Sequence, residues 1–214
     1  MEQISKTPIM IIGTEAEARI ALDIANLLEV TVFGYLTEEP EELNKEINDV
    51  LVVAELGGKD SNTLMEDPNI KLALAMREIK DRIEAVASTA SFEKDWVNLF
   101  HPSVEVSPYA KLGRGNLIGA NTIIQANALF GSFNQVGNYV SIEPDAEIGD
   151  YCNIQTGAKI GRGAMLSEGV TVGMGAIIYP GVHLGPGATV GPGSVVLTDV
   201  PEREQVFGNP AQSV

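Results

Sequence analysis

From Phe100 to Val196 an apolar residue stands at every sixth position of the chain, without an insertion or an exception. The series includes Val106, Leu112, Ile118, Ile124, Phe130, Ile142, Ile154, Leu166, Ile178 and Leu184. With 44% of the chain hydrophobic, so long a run arises by chance about once in a million trials, and the six-residue period is a structural repeat. Four residues after each large apolar position comes a mostly small or β-branched one, as at Ala128, Val140, Ala146, Cys152, Ala158 and Ala164. Glycine often fills the neighbouring turn positions, at Gly113, Gly119, Gly137, Gly149, Gly161, Gly173, Gly185 and Gly191. The pattern predicts a solenoid in which each hexad is a short strand plus a turn. The large residue fills the centre and the small one fits the crowded corner. Cys152 falls in a corner slot and reads as a small core residue rather than a nucleophile.

The first ninety residues follow different periods. Short apolar runs at 8–12, 30–36, 49–56 and 71–76 predict buried strands. Residues 14–29 have helical spacing, with Ile20, Ala21, Ile24, Leu27 and Leu28 on one face, and 77–87 predict another helix. Polar, helix-prone stretches separate the strands. Alternating strands and helices imply a small parallel sheet of the Rossmann type over residues 1–90. The solenoid is expected over 91–205 and a tail over 206–214. A phosphate-binding turn after the first strand needs several glycines. Here "GTEAEA" (13–18) keeps only Gly13, and Glu15 and Glu17 oppose an anion at the helix start.

Charge and composition narrow the partners. A formal net charge of −15 repels nucleic acid and anionic membranes at long range, while leaving room for a small anion in a local basic pocket. No apolar run has the length of a membrane span, and the opening residues lack the pattern of a signal peptide. The single cysteine excludes an internal disulfide framework. A cytoplasmic protein is the expectation.

The hexads, the closing "GNPA" (208–211), "HPS" (101–103), "DYCNIQTGAKIG" (150–161) and "YPGVHLGPGATVGPGSVV" (179–196) together resemble the hexapeptide-repeat acyltransferases. They are most similar to the sugar O- and N-acetyltransferases acting on sialic acid or UDP-linked amino sugars. That resemblance implies an N-terminal Rossmann-like α/β domain joined to a left-handed parallel β-helix of about five and a half coils, three hexads per coil. It also implies a homotrimer, with acetyl-CoA lying between neighbouring β-helices and a small, sugar-derived acceptor. The backbone turns around Gly173 and Gly191 would line the acyl-CoA cleft.

The same resemblance implies a histidine general base where this chain has Pro144, in "IEPDAEIGD" (142–150). The orienting acid is kept as Asp145. A second family position, often histidine near the acyl group, is Asn153, which donates a hydrogen bond but is no base near neutral pH. The acidic pair after the second strand reads Thr37-Glu38. Glu143 and Asp145 are the remaining candidates for a base, since a carboxylate serves when its environment suits it. His101 lies in the linker motif. His183 lies at a turn and stacks two coils from Glu147, roughly 10 Å along the axis from the expected site.

Lys111, Arg114, Lys159 and Arg162 are the only lysines and arginines between residues 100 and 200. Arg162 stacks one coil from Pro144, where it either binds a CoA phosphate or acidic substrate, or solvates a turn beside Asp145. Two readings stay open. One is an acyl-CoA-dependent transferase with an altered base and acceptor. The other is a non-catalytic trimeric scaffold or binding module. A zinc carbonic anhydrase on the same fold needs three histidine ligands, and the chain has two histidines.

Overall fold

The computed structural model describes residues 7–214. The opening residues 1–6, on which the expectation about a targeting segment partly rests, lie outside them. The chain divides into two compact units, Met1–Pro102 and Ser103–Val214.

The first unit is built on strands β1 (Ile9–Ile12), β2 (Val32–Thr37), β3 (Glu46–Ile47), β4 (Val50–Glu55) and β5 (Lys71–Leu74), in the order β3-β4-β2-β1-β5. All pairs are parallel except the short β3–β4 hairpin at the edge. Every residue of β1 is buried, as its unbroken "IMII" requires of a central strand. Helices α1 (Ala16–Leu27), α2 (Lys59–Glu66) and α3 (Ile79–Thr89) fall between and after the strands.

Two expectations need correction here. The buried stripe of α1 is Ala18, Ala21, Leu22, Ile24 and Ala25, whereas Ile20 and Leu27 are 47% and 57% exposed. The alanines allow a closer approach than the larger residues would, so the helix is rotated towards them. The stretch after β2 is not helical. It forms a single 3-10 turn at Pro40–Glu42 and then β3, and left-handed Asn44, Asn48 and Asp49 prevent a longer helix.

The second unit is a parallel β-helix of two-residue strands on three sheets. The first sheet stacks Glu105–Val106, Ile123–Ile124, Ser141–Ile142, Lys159–Ile160, Ile177–Ile178 and Val195–Val196. The second stacks Lys111–Leu112, Leu129–Phe130, Glu147–Ile148, Met165–Leu166 and His183–Leu184. The third runs from Leu117–Ile118 through Gln135–Val136, Asn153–Ile154, Thr171–Val172 and Thr189–Val190 to Gln205–Phe207, closed by antiparallel Gln212–Ser213. Register advances by one 18-residue coil, as in Ile124, Ile142, Ile160, Ile178 and Val196.

The corners obey two rules that the period alone conceals. The glycines directly after the inward residues have ordinary φ. A Cβ on Gly161 would lie 2.6 Å from the Pro180 nitrogen, and one on Gly173 2.6 Å from the Pro192 nitrogen. They are glycine because the next coil passes too close. Left-handed backbone falls elsewhere in the hexad, at Gly115, then at Asn121, Asn127, Phe133, Tyr139, Asp145 and Tyr151, and then at glycine from Gly157 to Gly193.

The position between these two has an N–H that points away from the ladder. Some coils satisfy it with a side chain: Arg114 N–H donates to Ser132 Oγ (3.3 Å), Ala120 N–H to Asn138 Oδ1 (2.8 Å) and Ser132 N–H to Asp150 Oδ1 (2.7 Å). Others carry proline there, at Pro108, Pro144, Pro180, Pro186 and Pro192. Proline has no N–H to leave unpaired.

Candidate functional site

Pro144 therefore occupies a corner slot that this fold readily gives to proline. Its carbonyl accepts the Gly163 N–H at 3.0 Å, which ties it to the next coil. Asp145 follows with φ 62° and is exposed. Its Oδ1 accepts a hydrogen bond from Asn127 Nδ2 at 3.1 Å, from the matching corner one coil earlier. Asp145 thus pairs with Asn127 rather than with Arg162.

Glu143 is half-buried in the slot directly after inward-facing Ile142, a slot filled by glycine at Gly131, Gly149 and Gly161. Among the described residues its carboxylate makes no hydrogen bond or ion pair. One coil on, the same slot is Gly161. Exposed Arg162 comes next, on the same corner, and forms no ion pair among the described residues. The structure thus brings Glu143, Asp145 and Arg162 to one corner of two adjacent coils.

Asn153 is placed elsewhere. It sits half-buried on the third sheet between Gln135 and Thr171. Pro144 lies at the corner joining the first and second sheets, opposite that face, so one chain does not place Asn153 beside Glu143. Gly173 and Gly191 follow the third sheet. The close approach of Pro192 accounts for Gly173, and a Cβ on Gly191 would lie 2.0 Å from the Phe207 ring.

His183 lies on a strand of the second sheet, not at a turn as expected. Its column is Glu147, Met165, His183, which keeps it two coils from Glu147. Its Nε2 is 2.9 Å from Ser167 Oγ, and its backbone N–H donates to Asp199 Oδ1 at 2.8 Å. Sequence reasoning missed Ser167. Writing the hexads in rows of 18 would have found it, because Ser167 sits one coil back and two residues on from His183. Cys152 is buried as expected. Its thiol donates to the Ser167 carbonyl at 3.2 Å, and its N–H donates to Asn134 Oδ1 at 2.6 Å.

An open groove lined by Lys111, Gly113, Gly131, Gly149 and Asp150 follows the second sheet. It includes none of the residues named from the sequence as a site. Among the described residues no group of three or more His, Cys, Asp or Glu side chains is arranged to hold a metal. No helix among them is long and apolar enough to cross a membrane.

In the first unit Gly13 has φ +115°, and a Cβ there would lie 2.3 Å from the Ala75 carbonyl oxygen. Packing against β5 reserves that glycine. Glu17 meets Arg77 at 3.7 Å. At the end of β2, buried Thr37 accepts the Glu39 N–H at its hydroxyl (3.0 Å). Partial burial, and then the charges of Asp81, Glu84 and Glu39, raise the Glu38 carboxyl above its ordinary pKa. The carboxyl ends of β1 and β2 thus present negative charge, which disfavours a phosphate.

Residues 127–162 and 163–198 each match the bacterial transferase hexapeptide (six repeats) family model. Over residues 127–198 the repeat read from the sequence matches that model. No curated protein sequence matches the chain. Among solved structures it is similar to the acetyltransferase domain of PglB from Neisseria gonorrhoeae, with 22% identity, a TM-score of 0.86, and coverage of 97% of this chain and 100% of that one. It is likewise similar to WeeI from Acinetobacter baumannii, with 20% identity, a TM-score of 0.85, and coverage of 96% and 99%. PerB from Caulobacter crescentus, solved with CoA and GDP-perosamine, is 24% identical with a TM-score of 0.78 and 97% of each chain covered. Two variants of the Caulobacter enzyme, each with one histidine replaced, were also solved with CoA and GDP-perosamine. These likenesses show the fold, and the hexads on three stacked parallel sheets fit the left-handed β-helix that the resemblance implies.

Proposed function

We propose that the chain is an acyl-CoA-dependent transferase that acetylates a sugar or sugar-nucleotide-like acceptor, with a carboxylate in place of the usual imidazole base. The observation that carries this reading is the corner that groups Glu143, Asp145 and Arg162. It belongs to a fold shared with proteins that hold CoA and a sugar nucleotide. In the Caulobacter enzyme both ligands stay bound when a histidine is replaced, which supports a binding cleft that does not depend on imidazole.

In this reading Glu143 takes the proton from the attacking amine or hydroxyl, since Asn127 already engages Asp145. Asp145 orients the acceptor, and Arg162 meets a phosphate of the acyl donor as a charge-assisted partner. Asn153 stands on the face opposite this corner, so it joins the site only from a neighbouring copy. A homotrimer, with acetyl-CoA between adjacent β-helices near Gly173 and Gly191, meets that requirement. The sheet order of the first unit supports a Rossmann-like domain, with the acids at the ends of β1 and β2 selecting against an anionic ligand there.

Calorimetric titration of acetyl-CoA into the full chain tests the reading, and micromolar binding is expected. Glu143→Gln should keep that binding and lower thiol release with a sugar amine by about 100-fold, the scale of one general base. An absence of binding at millimolar acetyl-CoA leaves the non-catalytic trimeric scaffold as the reading.

A further inference from the structure

We propose that Ser167 and His183 form a nucleophile–base pair that accepts an acyl group covalently, at a site separate from the Glu143 corner. Three observations on the second sheet and its following corner converge on it. Ser167 Oγ and His183 Nε2 stand 2.9 Å apart, within the distance at which imidazole takes a hydroxyl proton. Both residues are half-buried, so the pair is partly shielded yet reachable.

The third observation is the backbone N–H of Glu168, directly after the serine, which finds no acceptor among the described residues. In the same corner column the Arg114 and Ser132 N–H groups donate to side chains one coil further on, Ser132 and Asp150. At Glu168 the matching residue one coil on is Pro186, whose side chain offers no acceptor and whose carbonyl already takes the Arg203 N–H. An N–H immediately after a nucleophilic serine is a position from which a developing oxyanion is stabilised.

The step balances as an acyl transfer. With His183 protonated on Nδ1, Nε2 takes the proton as Ser167 Oγ attacks the carbonyl carbon of a thioester. The C–O bond forms, the C–S bond breaks, and the imidazolium returns its proton to the departing thiolate. Water or an acceptor hydroxyl then attacks the serine ester, with His183 again as base, and Ser167 is regenerated. The pair rests on the acyl-CoA reading only for its natural donor, because any activated ester serves the chemistry.

The test exposes the full chain separately to p-nitrophenyl acetate and to acetyl-CoA and maps adducts by peptide mass spectrometry. The expected result is one acetyl group on Ser167 with both donors. It should be lost in Ser167→Ala and formed about 100-fold more slowly in His183→Gln, with both variants showing wild-type thermal melts. If Ser167→Ala misfolds, Ser167→Cys replaces it, and if His183→Gln misfolds, His183→Asn replaces it; the adduct should depend on residue 183 in the same way. No adduct on Ser167 from p-nitrophenyl acetate, or an adduct indifferent to His183, overturns the pair. Calorimetry separates the two proposals. Acetyl-CoA binding without any Ser167 adduct removes the pair and keeps the transferase reading. A Ser167 adduct from the nitrophenyl ester without acetyl-CoA binding does the reverse.

Discussion

The early and late coils of the β-helix make the same left-handed turn with different residues. From Asn121 to Tyr151 the turn is held by asparagine, aspartate or aromatic residues, at φ 56–62°, and from Gly157 to Gly193, as at Gly115 before them, by glycine. The early coils compensate with contacts between coils. Asn127 donates to Asp145 (3.1 Å), and Phe133 stacks on Tyr151 at 5.2 Å beneath the Arg114 guanidinium, 6.0 Å away. The late coils meet the backbone demand with glycine and present no side chain there. Asp145 stands at the boundary, with Asn127 on one side and Gly163 on the other. Beside Arg162 the turn therefore carries Gly163 and no side chain.

The comparison breaks most directly at the glycines of close approach. Gly161→Ala places a Cβ against backbone and should cost about 3 kcal/mol, read by urea denaturation of the full chain. A wild-type curve would show that the coils are not held apart by that contact. Gly163→Ala tests the other glycine class. Nothing lies within 4 Å of its added Cβ, so the loss should be only the left-handed backbone cost of about 1–2 kcal/mol. If the two alanine variants lose equally, the distinction between the classes fails.

Among the early coils, Tyr139 is 64% exposed at φ 58°. Tyr139→Asn should stabilise by up to about 1 kcal/mol, because asparagine tolerates the conformation better. Phe133→Asn should instead destabilise by about 1 kcal/mol or more, since the ring stack is lost. A gain in both variants would show that the inter-coil contacts contribute nothing.

The smallest effect belongs to the first unit. The folded state holds the Glu38 proton more tightly than the unfolded chain does, so its stabilising contribution is present at acid pH. That contribution is lost as pH rises from the unfolded pKa through the raised folded one. Glu38→Gln should flatten the melting temperature against pH in that window and raise it slightly at neutral pH. An unchanged slope would place the acidic cluster's repulsion elsewhere.

The six-residue period, read from residues such as Ile124, Ile142 and Ile160, determined the solenoid by itself. One side chain per hexad must fill a shared interior, and that demand repeats identically in every coil. Burial of Cys152 was legible for the same reason, since it depends on a local requirement. The face of α1 was not, because Ile20 and Ala21 differ by one position and only the sheet beneath decides which stripe is buried. The sequence alone could not say why Pro144 is tolerated or which neighbour engages Asp145. Nor could it bring Ser167 to His183, because those facts depend on which N–H leaves the ladder and what stands one coil away. Tertiary structure decided them, since stacking at 18 residues makes neighbours of groups that the chain itself keeps apart.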